Sequence, residues 1–282
     1  MENEMAATPR VTNNSMDQIP LQDKVQLEIG SIDQSREEVH LGILEHARNN
    51  SRAWELRGKS TDHRALKEQL RKTVDFLSSV RRDAGKGEGT KGLPISVHRI
   101  LLSARLLVQS SALDVEDSLR RKNPLPQITS VDGGTLPRCY VAAKSYLAAT
   151  NSDFGEETFR KYMKVAQESG AFQIREIWLF SPMLQLELLT QLGEAVQQAR
   201  VNQRSGTEEK VEKILSNLDR VRKASWKTTF EILSRTDLIL QKDPSGAYPR
   251  MDFQTRDRYR HVVESIAKKS GLPEKQLSLI HI

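Results

Sequence analysis

The chain has 282 residues, of which 37% are hydrophobic and 5% aromatic, so it can bury a sizeable core built chiefly from Leu, Ile, Val and Ala. Lys and Arg number 43 against 37 Asp and Glu, a net charge of +6 spread along the chain, which argues against specific nucleic-acid binding and for a solvated basic surface. Cys139 stands alone, which excludes an intrachain disulfide and a cysteine-based metal cluster and fits a cytoplasmic setting.

Residues 1–20 contain Glu2, Glu4, Asn13, Asn14 and Asp17 with no continuous apolar stretch, so they lack the apolar segment of a secretory signal, and a disordered tail is expected over 1–23. N-terminal helices are expected over 24–84. The first has a short apolar patch at 21–32, then a capping box at Ser35 and Glu38 that opens a run through Val39, Leu41, Ile43, Leu44, Ala47, Trp54 and Leu56. The second, over 62–82 with Asp62 as its cap, places Leu66, Leu70, Val74 and Leu77 on one stripe. Residues 85–92, rich in glycine, break the periodicity and predict a flexible loop.

A helical domain is expected over 93–272. Pro94 opens an apolar helix through Ile95, Val97, Leu101, Leu106 and Val108 that is read as core and continues, or restarts near Asp114, to Lys122. Asn123-Pro124-Leu125-Pro126 ends it, Asp132-Gly133-Gly134 marks a turn, and further helices are expected over 137–149 and 156–168. Between Ile174 and Ala199 apolar residues cover nearly the whole circumference, as in a buried central helix, with Pro182 expected to kink or divide it. Glu176, Gln185 and Glu187 interrupt that stretch, leaving far fewer than the roughly 20 apolar residues a bilayer span needs, so no transmembrane segment is expected. Helices over 207–223 and 225–235, a turn at 243–246 and a last helix capped by Asp252 and ended by Gly271 complete the domain. No strand-like alternation stands out, and the fold class is all-α, a multi-helix bundle or array.

The residues present no catalytic, cofactor-binding or metal-binding set. His40, His46, His63, His98, His261 and His281 show no ligand spacing and read as surface or helix-boundary histidines. The Gly-rich loop departs from a P-loop, because Gly89 is followed by Thr90 and the flanks are helical and polar. Cys139 lies in no nucleophile motif and reads as a small packing residue. In the last helix, a rotation of 100° per residue puts Tyr259, Val262, Val263, Ile266 and Ala267 on one side with Arg256, while Arg258, His261 and Lys268 point away. An arginine on an apolar face predicts a buried partner, so Arg256 is expected to bond a carboxylate or helix-end carbonyls.

The stretch 251–267, M-D-F-Q-T-R-D-R-Y-R-H-V-V-E-S-I-A, resembles a motif of bacterial cyclic β-1,2-glucan synthases that precedes their membrane-embedded glycosyltransferase region. Asp243-Pro244-Ser245-Gly246-Ala247-Tyr248 is similar to the family's D-P-x-G-x-Y, and Ser225-Trp226 with Phe230 to its preceding helix. Ile174-Arg175-Glu176-Ile177-Trp178 with Pro182-Met183-Leu184 resembles I-x-E-L-W-x-x-P-x-M-L, and Leu136-Pro137-Arg138-Cys139-Tyr140 resembles L-P-R-x-Y. The resemblance covers about 93–272 and marks Trp178, Pro182, Asp252, Arg256 and Tyr259 as structural motif residues.

It implies a non-catalytic N-terminal helical module of a large inner-membrane protein that polymerises glucose from UDP-glucose. The module would lie in the cytoplasm at that membrane, with the remainder of the synthase or its membrane region as partner. No glycosyltransferase or phosphorylase acid is matched, so no catalytic residue is transferred. Residues 273–282 begin a helix without a stop signal and read as a truncated or foreign end. The alternative is a free-standing helical adaptor binding a partner through the Trp178 to Leu192 surface, which requires that surface to be partly exposed as a large apolar patch.

Overall fold

The structure, a computed structural model, describes residues 21–85, 93–121, 124–129, 133–201 and 206–271. The tail over 1–20, most of the Gly-rich loop and the end over 272–282 lie outside the described residues. The chain divides into two units, residues 1–42 and 43–282. Helix α1 (Leu21–Arg52) accounts for the described part of the first unit, and it passes through Ser35, so the capping box there starts no helix. Glu37 and Glu38 are good helix formers in an interior as well as at a start.

The second unit contains helices α2 (Arg64–Gly85), α3 (Ile95–Ser103), α4 (Arg105–Arg120), α5 (Arg138–Ala149), α6 (Glu156–Ala166) and α7 (Ile174–Val201). After them come α8 (Thr207–Lys223), α9 (Trp226–Leu233), α10 (Arg235–Leu240), α11 (Ala247–Arg250) and α12 (Phe253–Ser270). The α-helical class expected from the sequence is what the structure shows, with one addition.

That addition is a three-stranded antiparallel sheet in the order β1 (Leu56–Ser60), β2 (Leu125–Thr129), β3 (Thr135–Pro137). Leu56 therefore belongs to a strand, not to the first helix, which ends at Arg52. Pro126 sits in the central strand opposite Lys59 although it has no N–H to donate, and the β1 register shifts between Leu56 and Lys59. Gly58 lies inside that irregularity at φ +91°, a conformation other residues rarely adopt, so the bulge is built on glycine.

α7 is the centre of the fold, and α2, α4, α5, α8 and α9 pack against it. Its apolar residues are buried all round, including Ile177, Phe180, Met183, Leu184, Leu188, Leu192 and Val196. Pro182 is buried within this helix, which continues unbroken past it, so the proline does not divide the element. α2 and α7 approach closely at Gly193, where a Cβ would come within 3.3 Å of the Thr73 methyl. Next to α7 the rings of Tyr146, Phe159, Phe180 and Trp226 meet edge to face, Phe159 lying 5.1 to 5.7 Å from the other three.

The expected stripe of α2 is present, since Leu66, Leu70 and Leu77 are buried together with Val80. Asp62 serves its start from one position before the cap, accepting the Arg64 backbone N–H at 2.9 Å. The hydrogen bonds from Arg64, side chain first and backbone second, hold the Asp62 carboxyl down at about 2. The apolar run from Pro94 differs from expectation. It breaks at Ala104, not near Asp114, and only Val97, Leu101, Val115 and Leu119 of its large aliphatics are buried, while Ile95, Leu102, Leu106 and Leu113 are exposed.

Candidate functional site

α9 to α12 build the polar centre of the C-terminal region. Ser234 ends α9 and caps α10, accepting the backbone N–H of Asp237 at 3.1 Å, and this fixes Asp237 in a first turn that is buried. Asp243 then folds the connection, its carboxylate accepting the backbone N–H groups of Ser245, Ala247 and Tyr248. The Ser245 hydroxyl, which also donates to this carboxylate, and then those backbone bonds hold the Asp243 carboxyl below its usual value. Tyr248 is thereby turned inward, and its hydroxyl donates to Asp237 Oδ1 at 2.6 Å. Asp252 caps α12 by accepting the Thr255 backbone N–H at 2.8 Å, and Gly271 closes it at φ +71°, both as expected from the sequence.

The buried face of α12 is only partly the one that hydropathy selects: Val263 is buried, and Ile266 and Ala267 pack partly buried against the same small cluster. Tyr259 and Val262 are 51% and 56% exposed, whereas Arg260 has no exposed surface at all. Arg260 Nη1 donates to Asp237 Oδ1 at 2.7 Å and Nη2 to Asp257 at 3.2 Å, while the guanidinium lies 4.6 Å from the Phe230 ring centre and 4.8 Å from that of Phe253. Burial opposes its charge, but the hydrogen bond to Asp237 and the surrounding negative charge hold its pKa above the ordinary value. Burial likewise pushes the Tyr248 phenol up, reinforced by the bond it donates to Asp237. Arg256 forms an ion pair with Glu231 of α9 at 2.7 Å and is largely covered, so the carboxylate partner sought for it is present.

A second buried pair joins two other motif segments. Arg138, at the start of α5, reaches Glu176 in the first turn of α7 through both Nε and Nη2, the Nε bond being 2.9 Å. Glu176 also accepts the Gln173 backbone N–H at 2.9 Å, and Arg138 donates to the Ala171 carbonyl and lies over Phe172. A third polar group crosses the same core. Tyr140 donates to Glu187 at 2.8 Å and accepts from Gln69 at 2.8 Å, and Gln69 also donates to Thr190. Cys139 is buried beside these groups. Burial first, then the Glu176 charge, raises its thiol far above the ordinary value, which makes it a packing residue with no thiolate at neutral pH.

A cleft of about 580 Å³ opens where the first turn of α7 meets α12, the end of α4 and the start of β2. Trp178, Arg175, Asp257, His261, Asp117 and Arg121 are among its walls. Trp178 stacks on Phe230 with centroids 4.6 Å apart and meets Phe253 edge to face at 6.1 Å. Arg175 pairs with Glu264, and its Nη1 is buried without a hydrogen-bond partner. His261 lies 3.4 Å from Asp257 and 3.5 Å from Glu264. His63, read from the sequence as a surface or helix-boundary residue, stands at the helix boundary directly before α2 and is buried in the same wall.

Of the five residues singled out by the sequence, Trp178, Arg256 and Asp252 sit around this C-terminal centre, Pro182 is in the core, and Tyr259 touches the centre only through an edge contact with Tyr248 at 6.3 Å. Arg260, Asp237 and Glu264 are the residues missed. The signal for Arg260 is its spacing of four from Arg256, which puts both on the side shared with Val263. Among the described residues no group of three or more His, Cys, Asp or Glu is placed to hold a metal ion, and no helix is long and apolar enough to cross a membrane. No protein-family model matches the chain, and no curated protein matches its sequence.

Proposed function

We propose that this chain is a non-catalytic N-terminal helical module of a cyclic β-1,2-glucan synthase-like protein, supporting membrane-bound glucan synthesis from UDP-glucose by positioning the remainder of the synthase. One observation supports this reading. The residues that carry the resemblance bond across segments inside the fold. Arg138 of the L-P-R-x-Y segment holds Glu176 of the I-x-E segment, while Tyr248 of the D-P-x-G-x-Y segment and Arg260 of the long motif meet at Asp237. Motif residues spent on interior bonds favour a structural module over a catalytic one. A signature made of turn caps and buried ion pairs maintains a shape that a partner can use.

The adaptor alternative, as read from the sequence, needs the Trp178 to Leu192 surface partly exposed as a large apolar patch. Met183, Leu184, Leu188, Leu189 and Leu192 are fully buried, and that surface is part of the core. Any adaptor would have to use another face.

Sequencing the encoding locus past codon 282 in the intact genome tests the proposal. An open frame that continues into membrane-spanning helices and a glycosyltransferase supports it. A stop codon at that place in the genome itself overturns it in favour of a free-standing helical protein.

A further inference from the structure

The cleft beside Trp178 is not used by the interior bonds that support the proposed function. We propose that it is a binding site for a small neutral carbohydrate. Its volume of about 580 Å³ lies within the range typical of small-molecule sites, about 300–1,000 Å³. Its chemistry is mixed and close to charge balance. Three carboxylates line it, those of Asp117, Asp257 and Glu264, and each already has a cation in reach: Arg120 at 3.5 Å, Arg260 at 3.2 Å, and Arg175.

A phosphate or carboxylate ligand would meet these three acids. A polyamine would meet Arg121 and Arg175. A polyhydroxyl ring carries neither penalty, because each hydroxyl can donate to a carboxylate and accept from a guanidinium or imidazole. Arg121, Asp117 and His261 stand on the exposed part of the wall, with their polar groups open to solvent and suited to that double role. Trp178 supplies an apolar ring surface for the C–H face of a sugar, held in one orientation by its stacking on Phe230. Planar forked polar groups around a fixed aromatic ring are the elements that orient a sugar ring.

The experiment is a titration of the full 282-residue chain with glucose, maltose and cellobiose, and separately with inorganic phosphate and spermidine. Intrinsic tryptophan fluorescence and the indole N–H resonance of Trp178 report binding. A saturable response to at least one sugar is expected. It should weaken about tenfold in Asp117→Asn and in Arg121→Ala, the loss expected for one hydrogen bond to a charged group. Both side chains are exposed, so these variants keep their fold, which circular dichroism verifies. The inference is overturned by no saturable response to any of the three sugars. It is also overturned by a response confined to phosphate or spermidine, or by sugar binding that both variants leave unchanged. The inference does not rest on the synthase reading, and a failed titration leaves the test at the locus untouched.

Discussion

Around α7 the interior is hydrocarbon and aromatic ring, contributed by helices that each present a broad apolar face, and the buried carboxylates that enter it, Glu176 and Glu187, both have hydrogen-bond partners. Under α12 the apolar material is scarce. Leu240, Tyr248 and Val263 form a small cluster of their own, and at its edge the fully buried Arg260 is wedged between Phe230 and Phe253 with Asp237 as its counter-ion. The first region gains stability in proportion to area removed from water, without regard to direction. The second depends on a few directional bonds in a setting of low dielectric, where a complete set holds one arrangement and an incomplete set is costly. Helices can thus be held by bulk burial in one region of the domain and by charge geometry in another.

The largest effect is expected where burial dominates. Phe159→Ala removes a ring that meets Tyr146, Phe180 and Trp226, and a loss of about 3–5 kcal/mol should appear in urea unfolding. Arg138→Met tests the polar guests of that same core. It leaves Glu176 buried without its cation and should cost roughly 3 kcal/mol or more, while Arg138→Met combined with Glu176→Leu should recover most of it. Recovery would show that the hydrocarbon region tolerates the pair without needing it. At the small end, Tyr259→Ala should change stability by no more than about 0.5 kcal/mol, because half of that side chain is in solvent and its ring contact is an edge contact. A loss as large as that of Phe159→Ala would mean that the Tyr259 ring is packed after all.

The difference between the two regions also decides what could be read from the sequence. α7 was legible because apolar residues on every side of a helix have one explanation, burial. Arg256 was legible because its helical phase joins it to Val263, and an arginine in that phase demands a partner. Which carboxylate answers the demand was not legible, since Glu231 lies on another helix. Arg260 was missed because hydropathy prefers Tyr259 and Val262, and nothing local announces that Asp237, on α10, is waiting for a cation. The sheet was missed for a related reason. Its strands are short, β3 having three residues, Pro124 and Pro126 read as terminators, and β1 pairs with a strand far away in the chain. Non-local pairing by polar groups and short strands leaves no periodic trace.

A double-mutant cycle at Arg260 and Asp237, followed by urea unfolding, tests the central claim most directly, that interior bonds between motif residues hold this fold. Arg260→Met and Asp237→Leu should each cost about 3–5 kcal/mol by stranding a buried charge, and together they should cost much less than their sum. Strictly additive losses, or an Arg260→Met variant no less stable than Tyr259→Ala, would contradict it.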